Sequence, residues 1–371
     1  DDLHTPCYLT DARLLQKNTA LLKQIQQRTG CKILLAQKAF SMFSAYPLIR
    51  DDLAGTTASG LFEAKLGREH FGKEVHVFSP AYTQEDFTQL LELCDHIVFN
   101  SFGQWKKYRQ QVQDATRNIS CGIRINPGYA EVETDLYNPC ISGSRMGVPL
   151  EQMEDDFAGL DGIHFHTMCE QNSDVLERTL DHMLPQFDKW LKRCKWVNFG
   201  GGHHITRPDY DVERLVRCIE RVRDTYGVQV YLEPGEAVAL NAGYLVATVL
   251  DVVHNGMDIA ILDASAACHM PDVLEMPYRP HILYSGTAGE KAYTYRLAGN
   301  TCLAGDVIGD YSFDHQLQAG EKLVFCDMAI YSMVKNNTFN GVPLPDIALY
   351  QNGHIDLVKR FGYADFEGRL S

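Results

Sequence analysis

Eight short apolar runs alternate with longer amphipathic segments through the first two thirds of the sequence. Each run is four or five residues long, as a buried strand would be, and the segments between them carry apolar residues at helical spacing. Strands alternating with helices are typical of a parallel α/β fold, and eight repeats favour a closed TIM-type (β/α)8 barrel over an open sheet. The predicted strands are Lys32–Ala36, Gly55–Ala58, Glu74–Phe78, His96–Asn100, Gly122–Asn126, Gly162–His166, Trp196–Phe199 and Gln229–Glu233.

The pattern changes after Glu233. From Tyr244 onward, runs such as "YLVATVLDVVH" and "KLVFCDMAIYS" resemble strands, and no long amphipathic helix follows. We therefore predict a barrel domain over residues 10–239. A second, mostly-β domain is expected over residues 240–371, with residues 1–9 returning to it as an extra strand.

Composition limits the possible partners. The formal net charge of −14 argues against nucleic acid and anionic membranes, and it is compatible with a cationic small molecule. No run approaches the roughly 18 apolar residues of a membrane span, and the start of the sequence lacks the features of a signal peptide. The 11 cysteines form no close CxxC pair, which predicts reduced thiols and a cytoplasmic location.

Functional side chains recur at the carboxyl ends of the predicted strands, where barrel enzymes gather their catalytic groups. A buried strand that ends on a lysine is unusual, because an ammonium group in apolar surroundings is costly. Any one of these residues could be a strand cap, but together they suggest a single site. They are Lys38, Glu63, Arg124, His164, His166, the triplet Gly200–Gly202, and Glu233.

These residue types match the needs of pyridoxal phosphate. Lys38 can hold its aldehyde, and a glycine triplet can present bare backbone N–H groups to its phosphate. Glu233 can hold a cationic ring nitrogen, and a flat imidazole can pack on the ring. Each feature alone has a simpler reading: a lysine reaching solvent, a tight turn, or an ordinary salt bridge.

Two other cofactor classes are disfavoured. Four histidines near two strand ends suggest a metal, but no carboxylate stands at the usual ligand spacing and no HExxH occurs. We therefore predict no metal site. The triplet is not GxGxxG, which argues against a dinucleotide. The histidines are His164, His166, His203 and His204.

At this point the chain resembles the barrel-type pyridoxal phosphate decarboxylases that act on ornithine, arginine and diaminopimelate, with an alanine racemase-like barrel. The motifs, in order, are "LLAQKAF", "ASGLFEA", "RIN", "HFHTMCE", "FGGGHHIT" and "LEPGEA". The resemblance implies that Lys38 anchors the cofactor and that His166 stacks on its ring. It also implies phosphate binding by Gly200, Gly201 and Gly202, a ring-nitrogen contact from Glu233, and cofactor contacts from Glu63 and Arg124.

Motifs in the second domain extend the resemblance. "GNTCLAGD" is similar to the motif that lends a cysteine, here Cys302, to the neighbouring subunit of a homodimer. Tyr331, in "CDMAIYS", corresponds to a phosphate contact. By this resemblance either Cys302 or Lys38 returns the proton after decarboxylation.

One departure from the family pattern indicates the substrate. Relatives usually carry "EPGR", but Glu236 stands in place of the arginine, and an acid there favours a substrate with a cationic tail. The stretch "DASAACHMPDVLEMPYRP" resembles the polyamine branch and adds Asp263 and Asp272 as possible ammonium partners. The expected reaction is decarboxylation of carboxynorspermidine or carboxyspermidine in polyamine biosynthesis.

Several alternatives remain open from the sequence. A decarboxylase of a basic amino acid such as diaminopimelate or ornithine would share these motifs, and a barrel-type racemase would share the lysine. A non-catalytic pyridoxal phosphate protein would resemble a bare barrel, and a metal hydrolase is the most remote alternative. Release of CO2 would separate the decarboxylases from the others.

Overall fold

The computed structural model describes residues 3–371, which form two compact units. One unit is Gln16–Val238, and the other combines the chain up to Leu15 with Ala239–Ser371. Within the described residues, no helix has both the length and the apolar character that crossing a membrane would require.

Eight parallel strands close into a barrel, which confirms the predicted fold class. The ring closes where the first and eighth barrel strands pair, with Tyr231 opposite Lys32, and the fourth strand pairs directly with the fifth. A short strand, Val148–Pro149, pairs with the fifth. The barrel strands are Lys32–Ala36, Gly55–Ala58, Glu74–Phe78, His96–Phe99, Ser120–Asn126, Gly162–His164, Trp196–Asn198 and Gln229–Leu232.

Several helices of the barrel unit begin at side-chain caps. Thr83 and Ser101 each accept a hydrogen bond from a backbone N–H in the first turn of the helix that follows. The α-helices are Ala12–Thr29, Tyr46–Ile49, Leu61–Leu66, Gln84–Leu93, Phe102–Gln113, Ser173–Leu191, Val212–Tyr226 and Glu236–Ala239. Shorter helical turns are Phe43–Ala45, Gly67–Phe71, Asp135–Tyr137 and Leu150–Gln152.

The interior of the barrel is packed around Trp196. Its indole clusters with Leu34, Val98 and Tyr231, and its Nε1 donates a hydrogen bond of 2.8 Å to Ser120 Oγ. The ring fits because Gly162 has no side chain: a Cβ there would lie 2.1 Å from the indole. This end of the barrel is therefore a filled core rather than a channel.

The second unit is built on a nine-stranded mixed sheet. The N-terminal strand Cys7–Asp11 lies inside it, antiparallel to Gly243–His254 and parallel to Asp346–Gln351. The other strands are Asp258–Leu262, Gly286–Thr287, Tyr293–Ala298, Val307–Phe313, Lys322–Cys326 and His354–Lys359. Its short helices are Ala266–His269, Asp272–Glu275, Ser332–Lys335, Phe339–Gly341 and Tyr363–Glu367.

Replacing Trp196 by alanine should lower the free energy of unfolding by about 3–5 kcal/mol, because it empties the centre of the packed barrel and removes the bond to Ser120. Equilibrium unfolding in urea, followed by far-UV circular dichroism, measures the change. Trp196→Phe should cost less because it keeps most of the volume. A loss under about 1 kcal/mol for Trp196→Ala would show that the interior collapses around the missing ring.

Candidate active site

A small cavity of about 40 Å³ lies at the carboxyl ends of the barrel strands. Most of the residues predicted from the strand ends line it, so the structure brings them together. These residues are Lys38, Arg124, His164, His166, Gly201 and Glu233. The remaining wall is formed by Ala36, Thr57, Ala58, Ser59 and Phe78.

Lys38 follows the first barrel strand, in the turn after Ala36. Lys38 lines the cavity, and the residue is exposed to solvent there. Partial desolvation of its amine, and then the nearby charge of Arg124, lower the pKa of Lys38. A lysine with a lowered pKa is more often the neutral amine that an aldehyde needs.

Glu233 is a buried carboxylate held by two neighbouring strands. His164 Nε2 lies 2.9 Å from its Oε2, and Asn198 Nδ2 donates to its Oε1 over 2.9 Å. Burial favours the neutral acid, but these two contacts outweigh it, so the pKa of Glu233 lies below its usual value. The group is therefore an anion that can stabilise a positive charge in the cavity.

His166 is held in one orientation by the glycine triplet. Gly201 N–H donates to His166 Nδ1 over 2.8 Å, which leaves the proton of a neutral ring on Nε2. Burial lowers the pKa of His166 well below its usual value, so the ring is neutral. A Cβ on Gly201 would lie 3.1 Å from His166 Cε1 and 2.7 Å from the Glu233 carbonyl oxygen.

The three glycines have different roles. The N–H of Gly200 donates to Asn198 Oδ1 and that of Gly201 to His166, whereas Gly202 N–H bonds to none of the residues that the structure describes. Gly202 has φ +80°, and a Cβ there would lie 1.9 Å from Met168 O. The chain after the seventh strand therefore offers a bare backbone donor, in the region where TIM barrels commonly bind phosphate.

Two further predicted residues support the cavity. The Arg124 guanidinium lies 4.6 Å from the centroid of the Phe78 ring and donates to His166 O over 3.2 Å. Burial lowers the pKa of Arg124 to about 10, which leaves it charged at neutral pH. Glu63 accepts a bond of 2.6 Å from Ser59 N–H, so its carboxylate supports the turn at the cavity wall.

Two acids, Glu170 and Glu236, form an acid pair near the carboxyl ends of the strands. Glu236 begins the short helix after the eighth strand and lies 3.6 Å from His204 Nε2. The Glu170 residue is exposed, but partial desolvation of its carboxyl, and then the charge and hydrogen bond of Glu236, raise its pKa to about 7. Glu170 was missed in the sequence, although it ends the motif "HFHTMCE"; no spacing rule connects it to Glu236.

Cys169 connects the acid pair to the cavity. Burial and the charges of Glu170 and Glu236 raise the pKa of its thiol to about 11, while the charge of Lys38 opposes them. The thiol thus lies within the electrostatic range of both the lysine and the two acids.

The other predicted residues lie in the sheet unit. Cys302 is exposed, and Tyr331 has a left-handed backbone, φ 51°. Asp263 accepts bonds from Thr5 Oγ1 (2.6 Å) and Thr248 N (2.7 Å).

Asp272, in the same unit, forms an ion pair with Lys335. The carboxylates of Asp272 and Asp263 are thus both engaged within their own unit.

Three possible metal ligands meet elsewhere in the barrel unit, at the amino ends of the strands. Glu74, His76 and His96 have ligand atoms within 4.8 Å of one another. Glu74 already pairs with Lys32 and accepts from Tyr231 Oη over 3.2 Å. An ion pair therefore accounts for this acid without a metal.

Comparison with known proteins adds independent information. The model of a family described as pyridoxal-dependent decarboxylase, C-terminal sheet domain, matches residues 7–329. A carboxynorspermidine/carboxyspermidine decarboxylase of Campylobacter jejuni is 42% identical over 100% of this chain and 99% of its own. A carboxyaminopropylagmatine decarboxylase of Synechocystis is also 42% identical, over 99% of this chain and 96% of its own.

A solved structure is similar along its whole length. It is the carboxynorspermidine decarboxylase of Campylobacter jejuni in complex with norspermidine, with a TM-score of 0.92 and 40% identity. The match covers 99% of this chain and 100% of that one.

For pyridoxal phosphate in this cavity, we expect the purified protein to be yellow and borohydride to fix the cofactor on Lys38. The physical reason is the lowered pKa of this amine, which faces the cavity. Peptide mapping by mass spectrometry locates the label. Lys32, which is paired with Glu74, is the matched lysine that should stay unmodified; a label on any lysine other than Lys38 would contradict the assignment.

Proposed function

The chain belongs to the family of pyridoxal-dependent decarboxylases, and on that premise we propose that it decarboxylates a carboxylated polyamine. The full-length relatives at 42% identity are named for carboxynorspermidine, carboxyspermidine and carboxyaminopropylagmatine. These molecules share an amino-acid end, a secondary amine and a cationic far end. The product would be norspermidine, spermidine or the corresponding agmatine derivative.

The acid pair is the observation that carries the substrate proposal. Two hydrogen-bonded carboxyl groups cannot both ionise easily unless a cation lies beside them. In the absence of substrate the pair retains a proton near neutral pH, as the raised pKa of Glu170 indicates. An ammonium or guanidinium group of a polyamine can take the place of that proton.

The cavity has the groups that pyridoxal phosphate requires. Gly202 N–H has no partner among residues 3–371, so this backbone donor is available to a phosphate. Lys38 supplies an amine, Glu233 an anion for the ring nitrogen, and His166 a neutral flat ring. When bound, the cofactor withdraws electrons from the carbon that loses its carboxylate.

The chain's own residues then control charge and protons. Glu233, kept ionised by His164 and Asn198, would favour the protonated form of a ring nitrogen bound beside it. When the bond from the α-carbon to the carboxylate breaks, CO2 leaves and the bonding electron pair stays on the α-carbon. A proton from Cys302 Sγ or Lys38 Nζ forms the new C–H bond, and solvent then restores the donor.

Two features of the proposal stay predictions. The family resemblance of "GNTCLAGD" suggests a homodimer in which Cys302 serves the neighbouring subunit's site. A cytoplasmic location agrees with all 11 cysteines being unpaired. Light scattering and subcellular fractionation are the direct measurements.

The proposed reaction predicts CO2 release from carboxynorspermidine, carboxyspermidine or carboxyaminopropylagmatine, with kcat/KM at least about tenfold above that for ornithine or diaminopimelate. A tenfold preference needs only about 1.4 kcal/mol of differential binding, within the range of one desolvated charge contact. A coupled CO2 assay on this panel measures it. Higher kcat/KM on diaminopimelate, or racemisation without CO2, would contradict the proposal.

Glu236→Gln and Glu170→Gln should each raise KM for the preferred carboxypolyamine by about fivefold or more. Two charges about 4 Å apart interact by about 4 kcal/mol at an effective dielectric of 20, and a quarter of this is sufficient. In the wild type, KM should rise as the pH falls below about 7, because a proton then competes with the substrate at the acid pair. Glu170→Gln should flatten that pH dependence.

Glu92→Gln is the matched control for this experiment. It removes the same charge from an exposed position on the helix Gln84–Leu93. Its KM and pH profile should equal those of the wild type. If Glu170→Gln and Glu236→Gln also leave KM unchanged, the pair does not bind the cationic tail.

A further inference from the structure

We propose that Asn340 and Asp306 are positioning residues that hold Cys302 in place for its proton transfer. The inference rests on the proposed function, in which Cys302 Sγ is a candidate donor to the α-carbon. It concerns two residues of the sheet unit to which the sequence assigned no role.

Asn340 holds the backbone of Cys302 directly. Its Oδ1 accepts a hydrogen bond of 2.7 Å from Cys302 N–H, although 38 residues separate the two in sequence. Asn340 has φ +59° and ψ +13°, a left-handed conformation that asparagine tolerates better than most residues. This backbone turn lets a short amide side chain at an exposed position reach the loop.

Asp306 holds the other side of the same loop. It is buried, and its Oδ2 accepts bonds from Thr301 Oγ1 (2.6 Å) and Ser265 Oγ (2.7 Å). Its Oδ1 accepts a longer bond from Ala267 N–H, 3.2 Å. Thr301 is adjacent to Cys302, so the carboxylate anchors the residue that precedes the thiol.

The ends of the motif "GNTCLAGD" also close on each other. Gly299 N–H donates to Asp306 O over 2.9 Å, and Asp306 N–H donates to Leu303 O over 3.0 Å. A Cβ on Gly299 would lie 2.2 Å from Asp306 Oδ2, so the carboxylate lies directly over this glycine. Cys302 is thus an exposed thiol on a short loop that is fastened on both sides.

A loop held by hydrogen bonds keeps the proton-donating thiol in position, because misplacement of a reacting group by about 1 Å can lower the rate by a large factor. An exposed loop without these bonds would leave the thiol in many orientations. The Asn340 and Asp306 contacts therefore order the loop before the substrate binds.

Asn340→Gly tests the contact without straining the backbone, since glycine accepts a positive φ and only the Oδ1 acceptor is lost. We expect kcat for the carboxypolyamine to fall by about tenfold with little change in KM, the upper range for one hydrogen bond. Hydrogen exchange of the Cys302 amide, followed by mass spectrometry on the holoenzyme, should become faster. Asn340→Asp keeps an acceptor and should restore most of both properties.

Asn352→Gly is the matched control. Asn352 also has a positive φ, 53°, and lies in the turn between the strands Asp346–Gln351 and His354–Lys359. The substitution removes the same side chain in the same unit, at a position away from the Cys302 loop. Neither kcat nor exchange of the Cys302 amide should change.

A double-mutant cycle with Cys302→Ala separates positioning from general stability. If Asn340 acts through the thiol, Asn340→Gly should have no further effect on kcat in the Cys302→Ala background. The same test applies to Asp306→Asn, which keeps the shape but replaces one acceptor by a donor.

Three outcomes would overturn the inference. If Asn340→Gly left the hydrogen exchange of the Cys302 amide unchanged, Asn340 would not order this amide. If Asn340→Gly lowered kcat equally with and without Cys302, its effect would be a general structural one that does not act through the thiol. Full activity of Cys302→Ala itself would end both the positioning role and the use of Cys302 as donor. In that last case, CO2 release by the Cys302→Ala variant would leave the proposed decarboxylation intact.

Discussion

The buried carboxylate of Glu233 is the interaction on which the rest of the site depends. A charge with so little access to water is costly unless other groups hydrogen-bond to it. Here His164 comes from the sixth strand and Asn198 from the seventh, while Glu233 itself follows the eighth. Three consecutive strands must therefore keep their register for Glu233 to stay ionised in the cavity. A closed barrel fixes that register.

The glycine turn of Gly200–Gly202, whose backbone is closely packed beside this carboxylate, is positioned by the same strands. Asn198 bonds both to Glu233 and to Gly200 N–H, so the strand that supports the acid also sets the start of the glycine turn. The turn then brings Gly201 N–H to His166 and leaves Gly202 N–H for a ligand. One set of hydrogen bonds thus holds the acid, the flat ring and the phosphate donor in a single arrangement.

Charge is distributed unevenly around the lysine. Desolvation, and then the charge of Arg124, lower the pKa of Lys38, while Glu233 opposes them. Beyond Cys169, the acid pair adds two carboxyl groups that can share one proton. A site with a lysine of lowered pKa at its centre and acids beyond it suits a substrate with an amino-acid end and a cationic tail.

Much of this could be predicted from the sequence because it depends on local pattern. The alternation of apolar runs with amphipathic segments determined the eight-stranded barrel, and motifs in chain order determined which residues meet at the strand ends. Lys38, Glu233 and the glycine triplet were all accessible in this way, because the carboxyl ends of barrel strands converge whatever lies between them.

Only the tertiary structure decided which polar atoms are already engaged. Sequence pattern could not show that Gly200 and Gly201 have used their N–H groups, or that Asp263 and Asp272 are occupied within the sheet unit. Nor could it join Glu170 to Glu236, or Asn340 to Cys302, which are far apart in the chain. Such pairings depend on distances between side chains from different elements, and these distances exist only once the chain has folded.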